Sequence, residues 1–422
     1  MSVASIEEIF AAHGRGADVP ERVRPVSTAL LSALRRTGTA HVYGDTADRE
    51  ELGRVLTVGG GIVAEVDGNT VNQPLVRRVL DRYLAGDRLV AFARELRQPP
   101  RALVPWLYTL ICVWIGQDMV AAFAAGRPWE VSLQLHMGAV SHPGTAKTLG
   151  RALRRMVPSG FVKVPFRPHE PESLLIARDL EAESIPVNVT STFSARQVVA
   201  AALLGDVTRS NVFMGRLNQG FHAARLGEHV DLETQRALRR LRREAGVKTQ
   251  LIVASMREWQ TFVRVAGCDV FTAPPRVLAE FLGQSEVSPD ELTSQLETSY
   301  EDRLGIAADV VRLVGLERMA RLWRVEPEFV EFLVSYRAST EYREVRDGER
   351  LQRRFEDAGF GDFFYTPTAR EWTELRASKL PDLSGSLVSR LAVDTHMSLL
   401  ADGDFVTQQQ EIDAVLSAGV AV

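Results

Sequence analysis

Eight short β-rich runs separated by helical stretches constrain this chain more than any other feature of its sequence. TAHVYGD, GIVAEV, WEVSLQLHM, FVKVPF, IPVNVTS, NVFMG, QLIVAS and CDVFTA follow one another between residues 39 and 273. Between them lie charged, helix-forming segments such as ADREELGRVL, GTAKTLGRALRRMV, PESLLIARDLEAE, ARQVVAAALLG and ETQRALRRLRREA, each with an apolar stripe and a polar face. Strand–helix alternation with short connections implies parallel pairing through right-handed crossovers, and eight such units close into an α/β (β/α)8 TIM barrel. An open doubly wound sheet is the alternative. No glycine-rich dinucleotide turn follows any of the runs, and the one glycine cluster, Gly59–Gly61, precedes its strand and reads as a turn.

The barrel is expected over residues 39–285. Residues 1–38 form an N-terminal helical extension, with Ile6, Ile9 and Phe10 and then Ala29, Leu30 and Leu34 at helical spacing on either side of a Gly14–Pro20 breaker. Residues 286–422 form a large helical C-terminal region, in which PDELTSQLETSYEDRLGIAADVVRLVGLERMARLW and EPEFVEFLVSYRAS carry helical patterns.

Fifty Lys and Arg against 54 Asp and Glu leave a formal charge of −4, so no global positive field draws the chain to nucleic acid or anionic lipid. Cys112 and Cys268 both sit in apolar surroundings, which argues against a disulfide framework and for a reducing, cytoplasmic compartment. The N-terminus does not read as a secretory signal. The most apolar stretch, residues 102–116, is shorter than the roughly 18–20 residues a membrane span needs and contains Pro105, so a buried helix is expected and no membrane partner.

In a barrel of this kind the C-terminal strand ends carry the site. Polar residues recur there: Asp45 on the first strand, Asn72 after the second, Gln134 on the third, Lys163 on the fourth, Asn188 and Thr190 on the fifth, Arg216 after the sixth, Ser255 and Arg257 after the seventh. Taken singly, Asp45, Asn72 and Ser255 read as caps or turns. Lys163 lies between Val162 and Val164 on a strand expected to be buried on both faces. Such an ammonium is paired, exposed at a rim or discharged, and in the last case the free amine attacks carbonyl carbon. Arg216 and Arg257 suit bidentate capture of a phosphate, with surface ion pairing as the alternative.

These segments, taken together, resemble the transaldolase and fructose-6-phosphate aldolase family of class I, Schiff-base-forming enzymes. VYGDTADREEL, GNTVN, VSLQL, FVKVP, IPVNVTSTFS, VFMGR, VASMRE and AGCDVFTAPPRVL match in family order across roughly residues 39–285. The resemblance implies that Lys163 is the Schiff-base lysine, that Asp45 moves the proton of the donor C4 hydroxyl and that Thr190 holds a catalytic water. It also implies that Asn72 and Asn188 bind the hydroxyls of a dihydroxyacetone unit, while Arg216, Arg257 and Ser255 clamp phosphate. No cofactor is required, and sugar phosphates are the expected partners. A homodimer through the helical regions is open.

The chain departs from the family at several positions. Gln134 stands where transaldolases carry a glutamate, Phe213 where the aldolases carry a tyrosine acid, and Asn211 where the family has serine. Val71 and Gln73 replace Thr and Pro in the usual TTNP run. Transfer of a dihydroxyacetone unit, cleavage by a specialised aldolase, and a catalytically weak barrel used for binding are therefore all expectations to weigh. Family members commonly end in a helix over the barrel mouth, and ADGDFVTQQQEIDAVL is offered as its counterpart.

The remaining motifs read as structural. His136 and His142 are loop histidines and no metal site is expected. Asp402–Gly403–Asp404 reads as a turn and cap before the last helix, since Val406 stands at the third ligand position of a calcium loop. The run Arg236–Glu244 reads as the solvated face of a barrel helix.

Overall fold

The computed structural model describes residues 3–14, 24–98, 100–124, 127–377, 383 and 386–420, so most of the Gly14–Pro20 breaker lies outside the described residues. Eight parallel strands close a barrel: β1 (His41–Asp45), β2 (Gly68–Thr70), β3 (Glu130–Gln134), β4 (Gly160–Pro165), β5 (Val187–Thr192), β6 (Arg209–Phe213), β7 (Gln250–Ala254) and β8 (Val270–Ala273). They pair in chain order, and β8 returns to β1 through Val270 opposite His41. The fold is thus the expected (β/α)8 barrel, with helices flanking the strands.

The second barrel strand is not the one its composition suggests. GIVAEV contributes Gly61–Val63 to a small side sheet, hairpinned to Thr57–Val58 through Gly59 and Gly60, both at positive φ. The barrel uses Gly68–Thr70 instead, a run without β-branched alternation. Its reason is steric: a Cβ at Gly68 would lie 2.0 Å from the carbonyl oxygen of Glu130 on β3, so only glycine permits that approach. Asn69 then holds its neighbours by donating to the Thr46 carbonyl at 2.9 Å and accepting from the Trp129 indole at 3.0 Å.

The lower end of the barrel is filled by an ion pair between the buried Arg209 and the partly exposed Glu130. Arg209 bonds Glu130 at 3.1 Å and Gln250 at 3.2 Å, and its guanidinium lies over the rings of Phe161 and Tyr43. The Tyr43 hydroxyl donates to the same glutamate. This plug leaves the opposite end of the barrel for the polar residues of the strand termini.

The apolar helix runs over Pro100–Phe123, longer than residues 102–116, and is long and apolar enough to cross a membrane. Length therefore does not exclude a span. Burial supplies the better argument: 83% of its most apolar window is covered by the rest of the protein, and Trp114 donates to the His13 carbonyl of the N-terminal helix Val3–His13 at 2.9 Å.

Beyond the barrel the chain is less helical than its pattern. Residues 284–300 are irregular, with only a short 3₁₀ turn at Glu301–Arg303 before the helix Ala308–Val314. Tertiary bonds outweigh local propensity here. Arg236 donates to the carbonyls of Leu296 and Thr298, both at 2.6 Å, while Leu292, Leu296 and Leu304 are buried. Arg236, Arg239 and Arg242 accordingly tie backbone carbonyls and Asp269, and the run Arg236–Glu244 is more than a solvated face. Residues 316–365 brace the barrel from outside. Ala195 donates its N–H to the Leu322 carbonyl at 2.8 Å, Arg178 bonds the carbonyls of Tyr342 and Val345, and Phe329, Phe355, Phe360 and Phe363 stack into an aromatic sub-core.

The last helix, Val393–Val420, is held to the barrel at the strand C-termini. Asp402, Gly403 and Asp404 lie inside it, not in a turn before it, because the carboxylates have partners across the helix. Asp394 takes two bonds of 2.7 Å from Arg196 and one of 2.6 Å from Ser194; Asp402 accepts from Arg167 at 2.6 Å. Asp394, Ser398, Asp402, Phe405, Gln409 and Asp413 recur at three- and four-residue steps and so share one face. Ser398 bonds the Ser191 carbonyl at 3.0 Å, at the bulge of β5.

Replacing Asp394 by Asn leaves the buried Arg196 guanidinium with only the half-exposed Asp362, 3.0 Å away, as a carboxylate partner, and should lower stability by about 2–3 kcal/mol at pH 7 in urea denaturation. The Arg196 guanidinium holds the Asp394 carboxyl below its ordinary value, against the opposing effect of burial, so this stabilisation is present above about pH 4. The gap between wild type and variant should close as the pH falls through the depressed folded value.

Candidate active site

A cavity of about 270 Å³ opens at the C-terminal ends of the strands. Asp45, Asn72, Lys163, Asn188, Asn211, Phe213, Arg216, Ser255 and Arg257 all line it. Gln134 and Thr190 are not in its lining; both are buried beside it, Gln134 opposite Lys163 in the strand register and Thr190 opposite Pro165. Thr70, Arg78, Thr272 and Phe405 also line the cavity, and the sequence reading passed them over.

Lys163 is central. It sits on β4, a strand buried along its whole length, between the register partners Gln134 and Asn188. Among the described residues no carboxylate comes within 4.0 Å of its ammonium. Burial lowers its pKa from 10.5 to about 8, with the charge of Asp45 opposing the shift. About one-tenth of such a group is free amine at pH 7.

Asp45 is not a helix cap; Asp48 performs that task for the following helix Arg49–Leu56 by accepting from the N–H groups of Glu50 and Glu51. One Asp45 oxygen instead accepts from the Thr70 hydroxyl at 2.8 Å. Thr70 and Thr272 hydroxyls lie 2.7 Å apart, and with the Thr70 proton committed to Asp45, Thr272 donates to Thr70. This two-threonine chain orients the carboxylate. Burial raises the Asp45 pKa, opposed by Lys163, the Thr70 hydrogen bond and the more distant Arg257 and Arg78. A carboxylate pushed up and an ammonium pushed down within one cavity have their proton affinities brought closer together, which favours proton exchange at the site.

Asn72 does act as a cap, accepting from the Leu75 N–H at 3.2 Å, while also lining the cavity. On β5 and β6, Asn188 Oδ1, Thr190 Oγ1 and Asn211 Oδ1 are buried without a hydrogen-bond partner, as is Gln134 Oε1 on β3. Each orphaned polar atom costs roughly 1–3 kcal/mol. Two of them, on Asn188 and Asn211, belong to the cavity wall and suit hydroxyl groups, while those of Gln134 and Thr190 lie buried behind it.

The cationic end is built by a close approach of two loops. A Cβ at Gly215 would lie 2.0 Å from the Ser255 carbonyl oxygen, so glycine lets the segment after β6 touch that after β7. Ser255 itself adopts φ 65°, a strained left-handed conformation for a residue with a side chain. Arg216 follows within the helix Met214–Gly220, and Arg257 lies two residues past Ser255. Burial lowers the pKa of both, and the charge of Arg216 lowers that of Arg257 further, so like charges are gathered here. Arg216 also faces Asp404 of the last helix at 3.6 Å.

Phe405 of that helix closes the cavity against Phe213, with ring centroids 6.2 Å apart, and Phe213 packs edge-on to Phe193 at 5.5 Å. No local sequence signal marks Phe405, because its neighbours in space are about 190 residues away in the chain. His136 is structural: it accepts from the Gly138 N–H and bonds Asp413 at 3.1 Å. Among the described residues no three His, Cys, Asp or Glu side chains are gathered as a metal site.

Comparison with known proteins identifies the family of the barrel. Residues 42–313 match the profile of the family described as transaldolase/fructose-6-phosphate aldolase. A probable transaldolase of Nitrosopumilus maritimus is 34% identical over 135 residues, 32% of this chain and 56% of that protein. Two longer matches are transaldolases of Acidobacterium capsulatum, 22% identical over 65% of this chain and 83% of its own, and of Saccharomyces cerevisiae, 24% identical over 65% and 82%. The chain thus spans just over half of the Nitrosopumilus relative.

Reductive trapping of dihydroxyacetone on Lys163 with cyanoborohydride, read by peptide mass spectrometry, should quicken from pH 6 with a midpoint near pH 8, since only the neutral amine reacts. Asp45→Asn removes the charge that raises the lysine pKa. Its midpoint should therefore lie at lower pH than that of the wild type.

Proposed function

The chain belongs to the transaldolase/fructose-6-phosphate aldolase family, and from that premise we propose that it transfers a dihydroxyacetone unit from a ketose phosphate to an aldose phosphate through a Schiff base on Lys163. The observation that carries this reading is the buried lysine, with its pKa near 8, in one cavity with Asp45 and two arginines.

The neutral Lys163 amine attacks the C2 carbonyl of the donor, and the carbinolamine loses water to give an iminium. Asp45, held by Thr70, accepts the proton of the C4 hydroxyl as the C3–C4 bond breaks. The electron pair of that bond moves to C3 and is delocalised towards the iminium nitrogen, leaving an enamine while the aldose departs. An acceptor aldehyde then takes the three-carbon unit by the reverse sequence, and water releases Lys163. Asn72, Asn188 and Asn211 supply hydrogen-bond partners for the hydroxyls of the bound unit. Gln134 and Thr190, buried next to Lys163, suit the positioning of the water that is lost and regained. Arg216, Ser255 and Arg257 bind the phosphate.

Cleavage with release of dihydroxyacetone requires an acid to protonate the enamine. The aromatic wall of Phe213, Phe193 and Phe405 offers none on that side, which supports transfer over cleavage.

Lys163→Ala should reduce turnover by about a thousandfold or more, and borohydride treatment with fructose 6-phosphate should label the Lys163 peptide in the wild type only. Donor without acceptor should release one equivalent of aldose and no free dihydroxyacetone. Multiple turnovers under those conditions would establish an aldolase, and absence of an adduct would remove both enzymatic readings.

A further inference from the structure

The Val393–Val420 helix closes the cavity with Phe405, and it also carries a carboxylate to the cationic end. Asp404 lies 3.6 Å from Arg216, with side chains 33% and 28% exposed, so the pair is reached by solvent and is not locked into the core. Its neighbour Asp402 differs: that carboxylate is buried, pairs with Arg167 at 2.6 Å and anchors the helix. Two residues apart, the two aspartates lie on opposite sides of the helix. One serves the brace and the other faces the substrate clamp.

We propose that Asp404 is a specificity-determining residue, which holds Arg216 as a competing anion and thereby weakens the preference of this site for a phosphate dianion over a neutral sugar end. This rests on the reading of Arg216 and Arg257 as the phosphate clamp. With Asp404 present, a phosphate meets one guanidinium shared with a carboxylate and one, Arg257, that among the described residues has no carboxylate within 4.0 Å. The dianion must displace Asp404 from Arg216 and remain beside its negative charge. A sugar ending in a hydroxyl meets no such repulsion, and the carboxylate can accept its hydrogen bond. The consequence is a site tolerant of acceptors with and without phosphate, in place of one that demands it.

Removing a unit negative charge about 6 Å from a dianion, in solvent-reached surroundings screened almost as well as bulk water, is worth roughly tenfold in affinity. Binding of inorganic phosphate to the full-length protein, measured by calorimetry at low ionic strength, should therefore tighten about tenfold in Asp404→Asn. The ratio of kcat/KM for glyceraldehyde 3-phosphate over glyceraldehyde as acceptor should rise by a similar factor. Arg257→Gln, measured in parallel, should weaken phosphate binding. If Arg257→Gln weakens it while Asp404→Asn leaves both affinity and acceptor ratio unchanged, the clamp stands and the role of Asp404 is overturned. If neither substitution moves phosphate affinity, the clamp itself is wrong and the proposal falls with it. Asp404→Ser replaces the carboxylate with a smaller polar group, and the same outcomes apply to it should the asparagine variant fail to fold.

Discussion

Removing an ammonium group from water costs several kcal/mol, and this barrel imposes that cost at Lys163. Everything useful about the lysine follows from it: a charged amine is no nucleophile, and only desolvation brings the pKa to about 8. The C-terminal end of the barrel is open by construction, and the last helix adds cover there. Phe405 covers the mouth, and the helix stays there because Asp394 and Asp402 form buried pairs with Arg196 and Arg167 on the segments after β5 and β4. The cover over the cavity thus depends on ion pairs made more than 230 residues further along the chain than Lys163.

That dependence gives a physical account of one departure from the family pattern. Gln73, which stands in place of proline, donates to the Leu135 carbonyl at 3.2 Å and to Gln409 Oε1 at 3.3 Å on the closing helix. Gln409 in turn donates to Asp413, which His136 also bonds. Proline could make none of these contacts. The residue belongs to the seat of the helix more than to substrate recognition. Phe213 belongs to the same arrangement, since its ring is the surface on which Phe405 rests.

How much of this was legible in the sequence differs by interaction range. The barrel was legible because seven of its strands carry β-rich runs, and Lys163, Asp45 and the two arginines stand at strand ends that their own segments define. Gly68–Thr70 was not legible as a strand from its composition, only from the family resemblance of GNTVN: it is shaped by the close approach of a neighbouring backbone, which leaves a glycine and no apolar alternation. The segment before Ala308 carries a helical pattern that Arg236 and buried leucines override. Asp402–Gly403–Asp404 looks like a turn because glycine and aspartate are poor helix formers. Only the arginines across the barrel mouth reveal why a helix tolerates them.

The near-neutral charge of the whole chain acquires a local meaning from these pairs. Arg167 and Arg196 are consumed by buried carboxylates, and Arg209 by Glu130 at the opposite end of the barrel. Arginines at a barrel mouth are therefore not equivalent, and the number of them says little about anion binding. Arg257 and Arg78 have no carboxylate within 4.0 Å among the described residues, and both line the cavity. Arg216 stands between these classes, half-buried and shared with Asp404. The anion end of the site is thus defined by which guanidinium groups the closing helix leaves uncommitted, so the same element that covers the cavity also sets the charge a substrate meets.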